Sequence, residues 1–381
     1  MTQNDEAYRV LNWPRLGAGS IDDIINVRLR HTDVLEIIIV HKAGGDYPVY
    51  VAVLTFGFQI ISQLQNILVI LRPMMKQILC LLVAMLAIAG CRQSHEEKQR
   101  IVRKQRIQLL KEDSAALKIA VMPTLDCLPL FVAKERQFFS QNGADVRLKM
   151  FTAQMDCDTA IMQGRVEGMV SDLVRTERMQ KLGLPLTYVT STNAYWQLYA
   201  NRLARLRKLP QLDDKMLAMT RYSVTDLMAD FVADSAKLSA ERLFKIQIND
   251  VHIRLKMLTG NEIDAVLLTE PQATQARLAR HNMLLDSRKV PMQMGVIAFR
   301  EEVLKDTTRQ RQLEVFKKSY NQACDSLARY GIGTYRSIVA KYCKIPENQV
   351  DSLPRGLKFP HMAQPADADI ERAKKWLDNI K

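Results

Sequence analysis

The sequence has little of what metal-dependent or nucleotide-dependent catalysis uses. Histidine occurs 6 times in 381 residues, and His252, His281 and His361 are widely spaced in the region that is expected to fold. It has no His-x-x-x-His pair, cysteine cluster or glycine-rich phosphate loop. Ser223 has no nearby histidine with an acid, so a serine hydrolase is unsupported as well. We therefore expect a protein that is not an enzyme and needs neither a metal nor another cofactor.

The sequence also lacks a nucleic-acid-binding module. Its formal net charge is +13, but many of the basic residues are concentrated between Arg92 and Lys111, with no zinc-finger spacing. A basic run of this kind is typical of a solvated tether near anionic lipid headgroups. We expect no nucleic-acid partner.

The apolar stretch 78–89 is too short to be a typical transmembrane helix. It has about a dozen residues, whereas roughly 20 are needed to span a bilayer. Lys76 precedes the stretch, and Ile88-Ala89-Gly90-Cys91 ends it. This is the layout of a bacterial secretory signal peptide. The last four residues resemble a lipobox, in which a signal peptidase cleaves before the cysteine and the thiol carries lipid.

We therefore predict a lipoprotein signal peptide at 74–90, a lipid on Cys91 and a basic tether at 91–115. The alternatives are a buried helix and a transmembrane span in which Cys91 has no role. Residues 1–73 do not fit this interpretation, because a signal peptide begins only a few residues before its apolar core. We predict that they are an over-extended start absent from the working protein; the alternative is a small cytoplasmic or membrane-associated element.

Four cysteines remain beyond the signal peptide and the lipidated residue. Outside the cytoplasm they could form disulfides, and four cysteines allow three connectivities. Local pairing favours Cys127 with Cys157 and Cys324 with Cys343. Four buried free thiols are the alternative.

From Leu117 onward, predicted strands alternate with helices, which indicates parallel βαβ units. The stretches 162–172 and 258–270 share one plan: a helix end, a glycine, an apolar–acidic pair, a buried strand and an acid at its carboxyl edge. This repetition predicts an α/β protein of two similar lobes. The expected boundaries are 116–200 for the first part of lobe 1, 201–295 for lobe 2, and 296–381 for the return to lobe 1 and the C-terminal helices.

Several stretches resemble periplasmic solute-binding proteins, most closely the nitrate, sulfonate, taurine and thiamine-pyrimidine group. They are Lys118-Ile-Ala-Val-Met-Pro, the Leu-Pro-Leu-Phe-Val-Ala-Lys-Glu of 128–135, Phe138-Phe139, and Asp264-Ala-Val-Leu-Leu-Thr-Glu-Pro. The resemblance implies a two-lobed, type II periplasmic-binding-protein-like fold. It also implies the receptor of an ABC importer, with a small-molecule ligand, a permease and an ATPase as partners. Hinges are expected near Asn201 and Met283.

Ligands of open parallel sheets bind beyond the carboxyl ends of the strands, so two facing lobes place one site in the cleft between them. The polar and aromatic side chains that follow the predicted strands are the candidate ligand contacts. They are Thr124, Asp126, Thr152, Asp156, Ser171, Asp172, Asn193, Tyr195, Trp196, Arg221, Tyr222, Ser223, Asn249, Asp250, Thr269 and Glu270. Helix capping is the alternative role for Asp126, Asp156 and Ser223.

The signs of these charges favour a particular ligand. Five candidates are acids, and Arg221 is their main counter-charge, whereas a sulfonate or nitrate site should present helix N-termini with Ser, Thr or Arg. Acids beside Tyr195, Trp196 and Tyr222 suit an amine-bearing flat ring. We therefore expect a heterocycle related to thiamine precursors.

Three alternatives stay open. The first is a sulfonate, taurine or nitrate receptor of the same fold. The second is an enzyme, since related sequences include pyrimidine-precursor synthases that use iron and consume their own histidine. The third is a surface lipoprotein that acts as an adhesin or an assembly partner.

Overall fold

The structure is a computed structural model that describes residues 23–30, 34–41, 51–57 and 97–380. The chain divides into two compact units, Met1–Arg106 and Ile107–Lys381. The predicted signal peptide and Cys91 lie outside the described residues. Among the described residues, no helix is long and apolar enough to cross a membrane.

The first unit contains a three-stranded antiparallel sheet in a region where the sequence shows no clear amphipathic period. Its strands are β1 (Asp23–Arg30), β2 (Val34–His41) and β3 (Val51–Gly57), in the order β1-β2-β3. β-branched residues make up five of the eight residues of β2 and three residues in each of β1 and β3, in keeping with their β propensity. The prediction that residues 1–73 are an over-extended start stays a prediction.

The second unit is built on two five-stranded sheets. The strands of the first sheet, which defines lobe 1, are β4 (Leu117–Val121), β5 (Val146–Met150), β6 (Gly168–Asp172), β7 (Leu186–Ser191) and β13 (Gly295–Arg300). Those of the second sheet, which defines lobe 2, are β8 (Gln197–Ala200), β9 (Lys215–Met219), β10 (Leu243–Gln247), β11 (Ala265–Leu268) and β12 (Asn282–Asp286). Their spatial orders are β5-β4-β6-β13-β7 and β10-β9-β11-β8-β12.

Both sheets are mixed. In lobe 1, β4 pairs in parallel with β5 and β6, and β13 runs antiparallel to β6 and β7. In lobe 2, β9 pairs in parallel with β10 and β11, and β8 runs antiparallel to β11 and β12. The parallel βαβ expectation therefore holds for three adjacent strands of each sheet. The antiparallel strands are those that enter or return from the other lobe.

Helices cover the sheets. They comprise α2 (Leu128–Glu135), α3 (Phe138–Gln141), α4 (Gln154–Met162), α5 (Leu173–Lys181), α6 (Val224–Ala236), α7 (Val251–Thr259), α8 (Gln272–Leu278), α9 (Thr307–Tyr330), α10 (Arg336–Cys343) and α11 (Asp367–Asn379). An exposed helix, α1 (97–115), precedes β4. The buried runs of β4 and β6 pack against the covering helices, as expected for strands covered on both faces. The predicted basic tether is thus helical over 97–115.

The stretch 128–141 forms two helices, α2 and α3. Gln137 separates them in the left-handed conformation, with φ 58°. A non-glycine residue in this conformation cannot continue a right-handed helix. The break turns Phe139 into the lobe 1 core, where it stacks on Phe316 of α9.

The chain passes between the lobes at 192–196 and 287–294, the two crossovers that follow β7 and β12. The expected hinges near Asn201 and Met283 are therefore wrong. Asn201 is buried at the end of β8, and Met283 pairs within β12. The expected boundary at residue 200 also shifts, because β8 belongs to the second sheet. All four residues of β8 are buried there.

Candidate functional site

A cavity of about 70 Å³ lies between the two lobes, at the carboxyl ends of their strands. Loops after β4 and β6 line it from lobe 1, and loops after β9 and β11 line it from lobe 2. Trp196 closes it from the first crossover. This is the interlobe position that strand order predicts for a ligand.

The cavity brings together part of the predicted set of ligand contacts. The predicted residues that line it are Thr124, Asp126, Ser171, Asp172, Trp196, Ser223 and Thr269. The predicted residues that do not line it are Thr152, Asp156, Asn193, Tyr195, Arg221, Tyr222, Asn249, Asp250 and Glu270. Lining residues that sequence reasoning missed are Met122, Gln154, Val170, Ala194, Thr220, Val224, Thr225, Val251 and Arg254.

Three of the predicted acids are placed elsewhere. Asp156 is exposed in the first turn of α4. Asp250 caps α7, where its Oδ1 accepts from the backbone N–H groups of residues 252 and 253 at 2.8 and 3.0 Å. Glu270 is buried and accepts from the Tyr195 hydroxyl at 3.2 Å and from the Thr274 N–H at 3.1 Å. The predicted cluster of five cleft acids is thereby reduced to two.

The predicted counter-charge is also elsewhere. Arg221 is exposed outside the cavity, and Tyr222 beside it stacks under the Arg178 guanidinium, 4.4 Å from the ring centroid. Tyr222 has φ 53° and does not line the cavity. The turn between β9 and α6 therefore presents Ser223, not its neighbours, to the cavity.

Other predicted residues form contacts at the first crossover or between the two lobes. Asn193 Nδ2 donates to the Lys358 carbonyl at 2.7 Å. Tyr195 is buried with the Arg288 guanidinium 4.1 Å from its ring centroid. The Thr152 carbonyl accepts from Val251 N–H of lobe 2, at 3.3 Å.

Asn249 lies beside this contact. It accepts a hydrogen bond from Gln247 Nε2 at 3.2 Å through its side-chain oxygen. It therefore belongs to the loop surface before α7.

Asp172 is the most distinctive group in the cavity. It is 5% exposed, and its Oδ1 accepts from Arg175 N–H in lobe 1 and from Val224 N–H in lobe 2, both at 3.1 Å. One carboxyl oxygen thus caps the N-termini of two helices, α5 and α6, from different lobes. Burial raises the pKa of Asp172 to about 7, although the charge of Arg175 and these hydrogen bonds act in the other direction.

Arg175 extends this contact between the lobes. Its side chain is 4% exposed and forms an ion pair with Asp158 of α4. It also donates through Nη1 to the Arg221 carbonyl of lobe 2, at 3.4 Å. Burial raises the pKa of Asp158, while the Arg175 charge lowers it in part. Side chains of lobe 1 therefore form hydrogen bonds with the backbone of the turn 221–224 in lobe 2.

Asp126 supplies the second carboxyl of the cavity. Burial raises its pKa, against the lowering effect of hydrogen bonds from Thr124 and Thr192. The carboxyls of Asp126 and Asp172 therefore bind a proton more tightly than exposed carboxyls do. A protonated carboxyl can donate a hydrogen bond as well as accept one, whereas an ionised carboxyl only accepts.

Arg254 provides a positive charge that sequence reasoning missed. It is 5% exposed; Nη1 donates to the Leu267 carbonyl at 2.8 Å and Nη2 to Thr220 Oγ1 at 3.3 Å. Burial lowers its pKa to about 10. The helical spacing of the sequence indicates that Arg254 is buried, because Val251, Arg254 and Leu258 lie on the same face of α7, which is the buried one.

Further hydrogen bonds close the lobes over the cavity. The Leu125 N–H donates to the Glu270 carbonyl at 2.9 Å, and Gln272 Nε2 donates to the Pro123 carbonyl at 3.0 Å. The cavity is about half the size of the ~150 Å³ engineered cavity that takes up benzene. A ring-shaped ligand therefore requires the lobes to separate.

The four cysteines of the second unit are all buried free thiols. The pairing of Cys127 with Cys157 and of Cys324 with Cys343 is thus wrong for this structure, and the free-thiol alternative holds. Burial raises the pKa of all four thiols, which makes them poor nucleophiles.

No group of three or more His, Cys, Asp or Glu residues that could hold a metal ion occurs in the part of the chain that the structure describes. Of the three histidines considered above, His252 lies in the first turn of α7 and His281 is buried in lobe 2. His361 contacts Asp325 at 2.6 Å.

Comparison with known proteins places these features in a family. The profile of the NMT1/THI5-like family matches residues 124–328, more than half of the chain. The chain belongs to the NMT1/THI5-like family. The matched range contains every lining residue of the cavity except Met122. A search of curated proteins gave no match.

Solved structures share the fold of this NMT1/THI5-like protein. The ligand-binding component of an ABC-type import system from Staphylococcus aureus is 14% identical, with a TM-score of 0.59, over 70% of this chain and 92% of that one. The alkanesulfonate-binding protein SsuA from Xanthomonas axonopodis pv. citri is 19% identical, with a TM-score of 0.58, over 69% and 91%. The nitrate-binding protein NrtA from Synechocystis PCC 6803 is 13% identical, with a TM-score of 0.54, over 66% and 74%. The predicted two-lobed, type II periplasmic-binding-protein fold is confirmed.

Proposed function

We propose that this protein is the substrate-binding lipoprotein of an ABC importer. The cavity between the two lobes carries the proposal, because hydrogen bonds cross the cleft around it and Asp172 caps a helix of each lobe. A cleft of this kind traps a small molecule and presents the closed lobes to a permease. The solved relatives named for ABC import support the same reading. The expected partners are a permease with its ATPase, and a membrane reached through lipid on Cys91.

We further propose that the ligand is an amine-bearing heterocycle related to thiamine precursors. Asp126 and Asp172 bring two carboxyls to the cavity, and Trp196 brings an aromatic face. Because burial raises the pKa of both carboxyls, each can exchange a proton with a ring nitrogen or accept from an amino group.

A small anion such as a sulfonate is the second candidate. Arg254 favours it, because its guanidinium lines the cavity and donates to the neutral oxygens of Leu267 and Thr220. Both partners are neutral, so an anionic ligand would supply a negative charge to pair with the guanidinium of Arg254.

Calorimetry of the purified chain against aminopyrimidines and alkanesulfonates tests the two candidates. We expect binding of an aminopyrimidine, with an affinity at least tenfold lower in Asp172→Asn and nearly unchanged in the matched control Asp156→Asn, whose carboxyl is exposed. Arg254→Gln should leave this affinity within a few-fold. Tight sulfonate binding that Arg254→Gln abolishes, with no heterocycle binding, would refute the heterocycle and support the anion.

A further inference from the structure

Asp172 joins the two lobes through a single oxygen atom. Its Oδ1 accepts from the N–H of Arg175 in lobe 1 and from the N–H of Val224 in lobe 2, both at 3.1 Å. Each donor lies in the first turn of a helix, where backbone N–H groups have no partner within the helix itself. If the lobes separate, α5 keeps this cap and α6 loses it. The bond between Asp172 and α6 therefore exists only while the cleft is closed.

Closure also removes this carboxyl from water. Asp172 is 5% exposed, and Thr220, Ser223 and Val224 of lobe 2 line the same cavity. Burial disfavours the charged form of a carboxyl, whereas a carboxyl in an open, water-filled cleft ionises near its ordinary pKa. Both hydrogen bonds go to Oδ1, which remains an acceptor when Oδ2 carries the proton. The closed cleft can therefore hold Asp172 in its neutral form without breaking either bond.

The charges around Asp172 come from both lobes. In lobe 1, Arg175 favours the charged form of this carboxyl and Asp158 opposes it, and these two side chains form an ion pair with each other. The other charged or titratable groups that line the cavity or begin α6 are Asp126 of lobe 1 and Arg254 and Asp226 of lobe 2. Burial has the largest effect, and it raises the pKa of Asp172 to about 7.

We propose that Asp172 is a proton-linked latch, a contact that holds the lobes closed when it is protonated and releases them as pH rises. Opening exposes the carboxyl to water, so the open form ionises more readily than the closed form. Closure therefore takes up a proton, and lower pH favours the closed form. Because a ring-shaped ligand requires the lobes to separate, the latch controls access to the cavity. Its role in ligand capture rests on the proposed function, but the latch itself is a property of the unliganded chain.

The distance between two spin labels on the unliganded full chain tests the latch. The labels are attached at Gln163→Cys, at the end of α4 in lobe 1, and at Lys256→Cys, in α7 of lobe 2; both residues are exposed. Cys80→Ser and Cys91→Ser leave only the four buried native thiols. With a pKa of 3.8 in the open form and about 7 in the closed form, the ratio of closed to open molecules should rise about tenfold from pH 8 to pH 6. Double electron–electron resonance at each pH measures the two populations.

Asp172→Asn should abolish the pH response, because the amide cannot ionise, and should stay closed at pH 8, because its oxygen still accepts from both N–H groups. Asp172→Ala has no acceptor and should shift toward the open form at both pH values. Asp156→Asn is the matched control, an exposed carboxyl of α4 whose loss should leave the wild-type response unchanged.

A wild-type distance distribution that does not change with pH would overturn the proposal. So would a pH response that persists in Asp172→Asn, because another group, such as His252, would then be the one that titrates. The measurement uses no ligand, so failure of the latch and failure of the proposed ligand give separate results: calorimetry reports the second, and the spin-label distances report the first.

Discussion

Asp172 should make the stability of the second unit depend on pH in an unusual direction. Its pKa rises from 3.8 in the unfolded chain to about 7 in the fold, because burial disfavours the charged form. The folded state therefore binds the proton more tightly than the unfolded state. The contribution to stability is fully present below pH 3.8 and is lost as pH rises toward 7.

The magnitude follows from the size of the shift. A difference of about three pKa units corresponds to about 4 kcal/mol, at 1.36 kcal/mol per unit. Asp172→Asn keeps an oxygen that can accept from the N–H groups of Arg175 and Val224, but it cannot ionise. We expect the variant to be more stable than the wild type at pH 8, by up to about 4 kcal/mol, and to approach it near pH 4.

Denaturant unfolding between pH 4 and 8, followed by tryptophan fluorescence, measures this difference. Asp250→Asn is the matched control, because Asp250 also accepts two backbone N–H bonds at the start of a helix. Burial acts to raise its pKa, but hydrogen bonds from Thr152 and from the N–H groups of residues 253 and 252 lower it overall. The Asn control should thus be less stable than the wild type at neutral pH. Parallel stability curves for the wild type and Asp172→Asn would refute the reasoning.

Two further predictions concern the core of lobe 1. Gly168→Ala should destabilise the protein by about 1–3 kcal/mol, because the new Cβ would lie 2.6 Å from Cε1 of the fully buried Phe299 ring. Gly333→Ala, where nothing lies within 4 Å, is its control in the same unfolding assay; similar losses in both variants would contradict the packing argument. The buried thiols of Cys127 and Cys343 should resist a thiol reagent in the native protein and react only after denaturation. Rapid labelling at neutral pH without denaturant would show that they are accessible.

Much of the fold follows from local patterns in the sequence. The strands and helices around the cleft are set by apolar runs, caps and glycines; α9, for example, follows the N-cap Asp306 and ends at Gly331. The order of strands in a sheet is not local. Placing β8 in lobe 2 depends on its pairing with β11 and β12, far along the chain, so the predicted boundary and hinges missed it.

The site was predictable where it depends on strand ends and unpredictable where it depends on turn geometry. Ser171 and Asp172 end β6, and the carboxyl end of that strand opens into the cleft. Ser223 lines the cavity and Arg221 does not, and between them Tyr222 has a positive φ that no pattern of residue types signals. Arg254 could have been found, because a basic residue on the buried face of a helix needs a reason to be there.

The two crossovers are in contact with each other. Thr192 N–H donates to the Gly295 carbonyl at 2.8 Å, and a Cβ on Gly295 would lie 2.3 Å from Thr192 Oγ1. The segments therefore touch where they leave lobe 1, at a place where a side chain on residue 295 has no room. Since Thr192 also hydrogen-bonds Asp126, rotation at this point would move one of the two cavity carboxyls. The contact between the two crossovers and the position of one cavity carboxyl are thus linked in one small region.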